Sequence, residues 1–171
     1  MRDVVHYASF SGQPVPILSL DQEKAFDRVD WGFMRSTLLS MGFSRSFIKW
    51  VDLFYTGVSS AVSVNGYLSS FFSPSRGVRQ GCPLSLLLYV LVSAVLAVNI
   101  RANPRIEGLT LPGSSSPLSP ILQYADDTSL VVVSDACIRT IFEVYAVYEK
   151  GSGAKSLVGW LGWWAGSSSL T

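Results

Sequence analysis

Ile121-Leu122-Gln123-Tyr124-Ala125-Asp126-Asp127-Thr128-Ser129-Leu130-Val131-Val132-Val133 is a pair of apolar runs interrupted by adjacent acids. The runs from Ile121 to Tyr124 and from Ser129 to Val133 read as short strands, and the polar residues between them as the tight turn of a hairpin. Both acids are thereby predicted in the turn of a ribbon too apolar to lie on a surface. Another acid closes a similar run. Pro16-Ile17-Leu18-Ser19-Leu20 reads as a buried strand whose C-terminal edge carries Asp21. Where these strands are sheet neighbours, Asp21, Asp126 and Asp127 converge.

Around these strands the chain alternates helical patterns and turns. One helix is expected from the N-cap Asp30 to the breaker Gly42, and another from Ser44 to Gly57, with Phe47, Val51, Phe54 and Tyr55 at helical spacing. Asn65-Gly66 lies between two short strand-like runs and supplies the two positive-φ positions of a type I′ hairpin turn. A loop rich in Gly, Arg and Gln runs from Pro74 to Pro83. It precedes an apolar helix from Leu84 to Ala102, and a Ser/Pro/Gly loop follows from Pro112 to Pro120. A last helix, from Asp135 to Lys150, carries Ile138, Ile141, Phe142, Tyr145 and Tyr148 on one face. Beyond Gly151 the residues are largely Gly, Ser and Trp without a period. Residues 1–155 are therefore expected to form the domain and 156–171 a divergent or poorly ordered tail. The fold class is α+β, a small antiparallel sheet backed by helices.

Composition narrows the chemistry. The 171 residues are 49% hydrophobic, enough for one domain with a sizeable core. Cys82 and Cys137 stand far apart, without a CxxC pattern or a nearby histidine, which argues against zinc and against a disulfide framework. His6 is the only histidine, so His-dependent triads are excluded and the chemistry must rest on carboxylates. The N-terminus lacks a secretory apolar core, and an intracellular protein of the nucleus or cytoplasm, not secreted, is expected. The charge-free run from Leu84 to Val98 falls short of the ~20 residues of a membrane span and reads as a core helix. With a net charge of +1, composition alone does not suggest nucleic acid.

The words of the sequence do. Leu20-Asp21-Gln22-Glu23-Lys24-Ala25-Phe26-Asp27 resembles reverse transcriptase motif A, and Arg76-Gly77-Val78-Arg79-Gln80-Gly81-Cys82-Pro83-Leu84-Ser85 resembles motif B. Gln123-Tyr124-Ala125-Asp126-Asp127-Thr128 resembles motif C, in the family's order and at plausible separations. The wording of motif B and the Val64-Asn65-Gly66 hairpin are most similar to LINE-type (non-LTR) retrotransposon enzymes. The resemblance runs from about Pro16 to Lys155.

It implies a polymerase palm and RNA-directed DNA synthesis: two-metal nucleotidyl transfer from dNTPs onto a primer 3′-hydroxyl, with an RNA template and a DNA primer as partners. Asp21 and Asp126 would be the main ligands of two Mg²⁺ or Mn²⁺ ions and Asp127 an accessory one, since hard oxygen donors suit such cations. Phe26 would stand against the sugar of the incoming nucleotide, an apolar ring that leaves a ribose 2′-OH no partner and no room. Gln80 and Gly81 would touch the nucleotide and the template. Arg76 and Arg79 either meet phosphates or are solvated loop charges. Glu23 and Asp27 are read as solvated residues of a helix start and left out of the site.

Gly153-Ala154-Lys155 resembles the opening of motif D, whose lysine can act near the pyrophosphate. The chain then departs from the family, passing directly to Ser156-Leu157-Val158-Gly159-Trp160-Leu161-Gly162, and Leu86 stands where proline is usual. The resemblance therefore implies a palm without fingers, thumb or endonuclease, inactive in isolation. Its rivals are a catalytically dead retrotransposon remnant acting at most as an interaction module, and a small membrane protein built on the apolar run.

Overall fold

The computed structural model describes residues 15–164. Four strands form one antiparallel sheet in the order β4-β5-β1-β6: β1 is Val15–Gln22, β4 Ile121–Tyr124, β5 Asp127–Val131 and β6 Ser156–Trp164. A separate two-stranded ribbon joins β2, Ser63–Val64, to β3, Tyr67–Leu68. Four α-helices complete the fold: α1 is Trp31–Ser40, α2 Arg45–Leu53, α3 Pro83–Ala102 and α4 Asp135–Ser152. A 3-10 turn, Ala25–Arg28, links β1 to α1. The architecture is the expected α+β one.

Local chemistry explains where the helices begin. Asp30, Ser44 and Ser134 each accept, through the side-chain oxygen, the backbone N–H three residues on, at 2.8, 3.2 and 3.3 Å. Each bond satisfies one donor that a helix start leaves free. α4 ends at Gly153, whose φ of 78° lets its N–H turn back to the Glu149 carbonyl at 3.0 Å.

Two cores share one helix. Leu96, Ala97 and Ile100 of α3 pack with Leu18, Leu20, Ile121 and Leu130 of the sheet and Ile141 and Tyr145 of α4. One turn earlier, Leu88, Tyr89 and Val92 pack with Met34 and Leu38 of α1 and Ile48 and Val51 of α2. α3 is long and apolar enough to cross a membrane by length and composition; one face of it packs into both cores, while Leu86, Leu87, Val90 and Val98 are exposed.

Several boundaries differ from expectation, three of them beside the acids or in the sheet that carries them. β5 begins at Asp127, not at Ser129, because the turn spends only Ala125 and Asp126, and Asp127 pairs with Tyr124. β1 runs past Asp21 to Gln22. Residues 156–164, set apart by composition as tail, instead form β6 and pair with β1 along its length, with a bulge between Leu18 and Ser19. Gly and Trp residues there give no alternation to read; the strand is made by β1's otherwise open hydrogen-bonding edge. Residues 165–171, the rest of that tail, and His6 lie outside the described residues.

Candidate active site

The carboxylates are placed by register. β1 alternates strictly from Leu18 to Gln22: Leu18, Leu20 and Gln22 point into the core, and Ser19 and Asp21 point away. Ser19 pairs with Ser129 and Leu20 with Thr128 on β5. The β1–β5 ladder ends at Leu20 and Thr128, and the next residue on each strand, Asp21 and Asp127, is exposed. Asp126, half-buried, occupies the turn between β4 and β5. The hydroxyl of Tyr89, reached from α3, lies in the field of both Asp126 and Asp21. Its pKa is pushed far up, first by burial and further by these and neighbouring groups. Both carboxylates are thus within electrostatic reach of the Tyr89 hydroxyl.

The turn carrying Asp126 is strained. Ala125 has φ +52°, in the left-handed region where a Cβ is unfavourable. Lys24, three residues after Asp21, has φ +50°. Two of the three non-glycine residues with positive φ among those described thus flank the acids, and the third is Asn65 of the β2–β3 turn.

The 3-10 turn and the loop before α3 are locked together beside this edge. Phe26 is half-buried, with its ring stacked on Tyr89 at 4.5 Å between centroids and 21° between planes. Its carbonyl accepts the Val78 N–H at 2.8 Å, and the Val29 carbonyl accepts the Gly77 N–H at 2.8 Å. The Trp31 indole donates to the Gly77 carbonyl at 2.8 Å. Gly77 is required here: its φ is +93°, and a methyl group on it would stand 2.9 Å from the Asp27 carbonyl oxygen. Gln80 and Gly81 lie exposed in the turn that leads into α3. Arg76 and Arg79, also exposed, line a groove of about 470 Å³ together with Asp27, Trp31, Tyr55 and Phe72. The structure does not bring these arginines into contact with the three aspartates. Leu86 lies exposed on the first turn of α3. Its N–H reaches the Cys82 carbonyl at 3.3 Å, a bond that proline could not make.

Glu23 is not the solvated residue expected. Its carboxylate accepts from Arg28 Nη2 at 3.0 Å and stands 3.6 Å from Lys155 Nζ, and its N–H donates to the Lys155 carbonyl at 2.8 Å. Lys155 is thus tied to the end of β1, two residues from Asp21, by backbone and charge together. Spacing could not show this, since the pair is joined only through the sheet. Gln22 and Tyr89 were missed as well. Alternation from Leu18 and Leu20 could have placed Gln22 inside, but a tyrosine in so apolar a helix carries no signal of its own.

Among the described residues, no three His, Cys, Asp or Glu side chains form a ready cage for a metal. The donors nevertheless fit a hard divalent cation. Mg²⁺ is commonly held by one or two carboxylates, with waters and substrate phosphates completing its shell, and an open edge of carboxylates is suited to that.

Comparison with known proteins agrees with the motifs. Residues 2–155 match the family described as Reverse transcriptase (RNA-dependent DNA polymerase). The Transposon TX1 uncharacterized 149 kDa protein of Xenopus laevis is 37% identical over 157 residues, 91% of this chain and 12% of that protein. The Retrovirus-related Pol polyprotein from type-2 retrotransposable element R2DM of Drosophila melanogaster is 38% identical over 76 residues, 44% of this chain and 7% of the polyprotein. A Pol polyprotein from type-1 retrotransposable element R2 of Popillia japonica is 27% identical over 131 residues, 76% of this chain and 18% of its own length. The chain thus spans under a fifth of each of these relatives.

Proposed function

Because the chain belongs to the reverse transcriptase (RNA-dependent DNA polymerase) family, we propose that the open edge formed by Asp21, Asp126 and Asp127 is the seat of RNA-templated nucleotidyl transfer. The primer 3′-hydroxyl attacks the α-phosphorus of a dNTP, and pyrophosphate leaves. The family in general uses divalent metal ions, a nucleic-acid template and primer, and nucleoside triphosphates. For this chain we assign Mg²⁺ or Mn²⁺ to Asp21 and Asp126, with Asp127 accessory. Two bound cations would supply activation of the hydroxyl and charge stabilisation on the leaving pyrophosphate.

The chain's own residues do the rest. Asp21 is carried by β1 and Asp126 by the β4–β5 turn, and where the two carboxylates approach, their repulsion is relieved by positive charge. Phe26, fixed by its stack on Tyr89, offers the sugar an apolar edge that accepts deoxyribose and leaves a 2′-OH unpaired. Gln80 and Gly81, exposed at the entrance to α3, are free to meet the base pair and the template backbone. The ammonium of Lys155, kept near the same edge by Glu23, is available to the pyrophosphate. Arg76 and Arg79, in their own groove, are assigned to more distant phosphates.

The β1–β5 register, whose last pair Leu20 and Thr128 is followed on the two strands by Asp21 and Asp127, supports this reading. A chain with net charge +1 has little electrostatic hold on a template-primer. We therefore assign no primer extension on poly(rA)/oligo(dT) to the 171 residues alone. The test is a chimera in which this chain replaces the matching segment of an active retrotransposon reverse transcriptase. RNA-templated extension that needs Mg²⁺ or Mn²⁺ and is lost on Asp126→Asn is expected. A chimera whose activity survives Asp126→Asn undiminished would refute the assignment.

A further inference from the structure

Behind the edge, two buried donors face a small cavity and lack acceptors. Gln22 is only 5% exposed. Its Oε1 accepts the Tyr89 hydroxyl at 3.1 Å, but its Nε2 has no partner. Arg28 Nε is equally unpaired, although Nη2 of the same guanidinium donates to Glu23. Both residues line a cavity of about 10 Å³ whose other polar walls are Tyr89, Tyr148 and Ser152. Buried polar groups left unsatisfied are rare, and a donor on a charged group is the costliest kind. The volume suits one water and nothing larger. A water also has the right polarity: its two lone pairs can meet the two N–H groups, and the Tyr148 hydroxyl oxygen lines the same cavity as an acceptor for one of its hydrogens.

We propose that a single water is bound between Gln22 Nε2 and Arg28 Nε, and that Gln22 is thereby the positioning residue linking the Asp21 end of β1 to Phe26. The linkage has two arms. Through Oε1, Gln22 holds the Tyr89 hydroxyl, and the Tyr89 ring stacks on Phe26. Through the water, it holds Arg28, the last residue of the 3-10 turn that carries Phe26. Gln22 itself follows Asp21 in β1, so any shift of its carboxamide is felt at a carboxylate and at the sugar-facing ring together. The water site stands on the fold alone, and only the consequence for Phe26 rests on the reading above.

The test is water-to-protein cross-relaxation in the isotopically labelled 171-residue chain. In rotating-frame spectra, direct cross-relaxation has the opposite sign to chemical exchange, which separates a bound water from an exchanging proton. Long-lived water peaks are expected at both Gln22 Nε2–H and Arg28 Nε–H. In Gln22→Met, which keeps the length and removes both polar atoms, the Arg28 peak should vanish and the Phe26 and Tyr89 ring signals should move. Absence of water peaks in the unsubstituted chain overturns the water site, and unmoved Phe26 signals in Gln22→Met overturn the positioning role. If Gln22→Met does not fold, Tyr89→Phe replaces it. That change keeps the ring, and it should quicken Phe26 ring flips; unchanged flips overturn the role. In the chimera, Gln22→Met should lower the preference for dNTP over rNTP several-fold, and a retained preference counts against the linkage. The water peaks do not depend on polymerisation, so failure of the polymerase reading would leave the water site standing.

Discussion

The β2–β3 and β4–β5 hairpins turn the chain with equally short loops, but by opposite means. Asn65-Gly66 follows turn chemistry: both residues have positive φ, at 50° and 83°, and both belong to types that tolerate it. Its strands are exposed throughout, and beyond the turn they are held by polar pairing, Val62 with Ser69 and Ser60 with Phe72, with no buried side chain behind them. Ala125-Asp126 goes against turn chemistry, with an alanine at φ 52°. That hairpin persists because Ile121, Leu130 and Val131 are buried behind it. A turn stabilised by its own residues is free to vary, whereas a strained one needs a core to hold it, and here the strained one carries the acids.

Five changes would break or sharpen this contrast. The largest effect belongs to Asp126→Asn in the chimera, which should lower RNA-templated extension about a hundredfold or more, because an amide cannot replace an anionic ligand of divalent cations. Next, Phe26→Val should reduce discrimination against ribonucleotides about tenfold or more, with a smaller loss of dNTP use; single-turnover incorporation of the two sugars measures it. Gly77→Ala should destabilise the fold by about 2 to 4 kcal/mol in a urea titration, since both the positive φ and the Asp27 carbonyl oppose a Cβ. The smallest effects are opposite in sign at the two turns. Gly66→Ala, with open space around it but φ +83°, should cost about 1 kcal/mol, while Ala125→Gly should gain about 0.5 to 1 kcal/mol. Equal signs at the two turns would contradict the account of how each hairpin is held.

The same contrast shows what was legible in the sequence. Asn65-Gly66 and the helix starts at Asp30 and Ser44 were readable because their causes are local, lying within a few residues. The acidic hairpin was readable from its apolar flanks, but its exact turn was not, since nothing local favours Ala125 at positive φ. β6 was hidden for a related reason: its pairing is dictated by the free edge of β1, more than a hundred residues away in the chain, and its Gly and Trp residues carry no alternation. The site followed the same rule. Asp21, Asp126 and Asp127 were legible as strand-edge acids. The Glu23–Arg28–Lys155 cluster and the Gln22–Tyr89 bond exist only once the sheet and α3 have brought distant segments together.

The central claim is that three aspartates from two strands and a turn form one cation site. Mn²⁺ added to the 171-residue chain with ¹³C-labelled aspartate tests it directly, because paramagnetic broadening falls steeply with distance and needs no polymerase activity. The account predicts that the carboxyl signals of Asp21, Asp126 and Asp127 broaden together, at Mn²⁺ levels that leave Asp52 and Asp135 sharp. Broadening confined to those other acids, with the three unaffected, would contradict it.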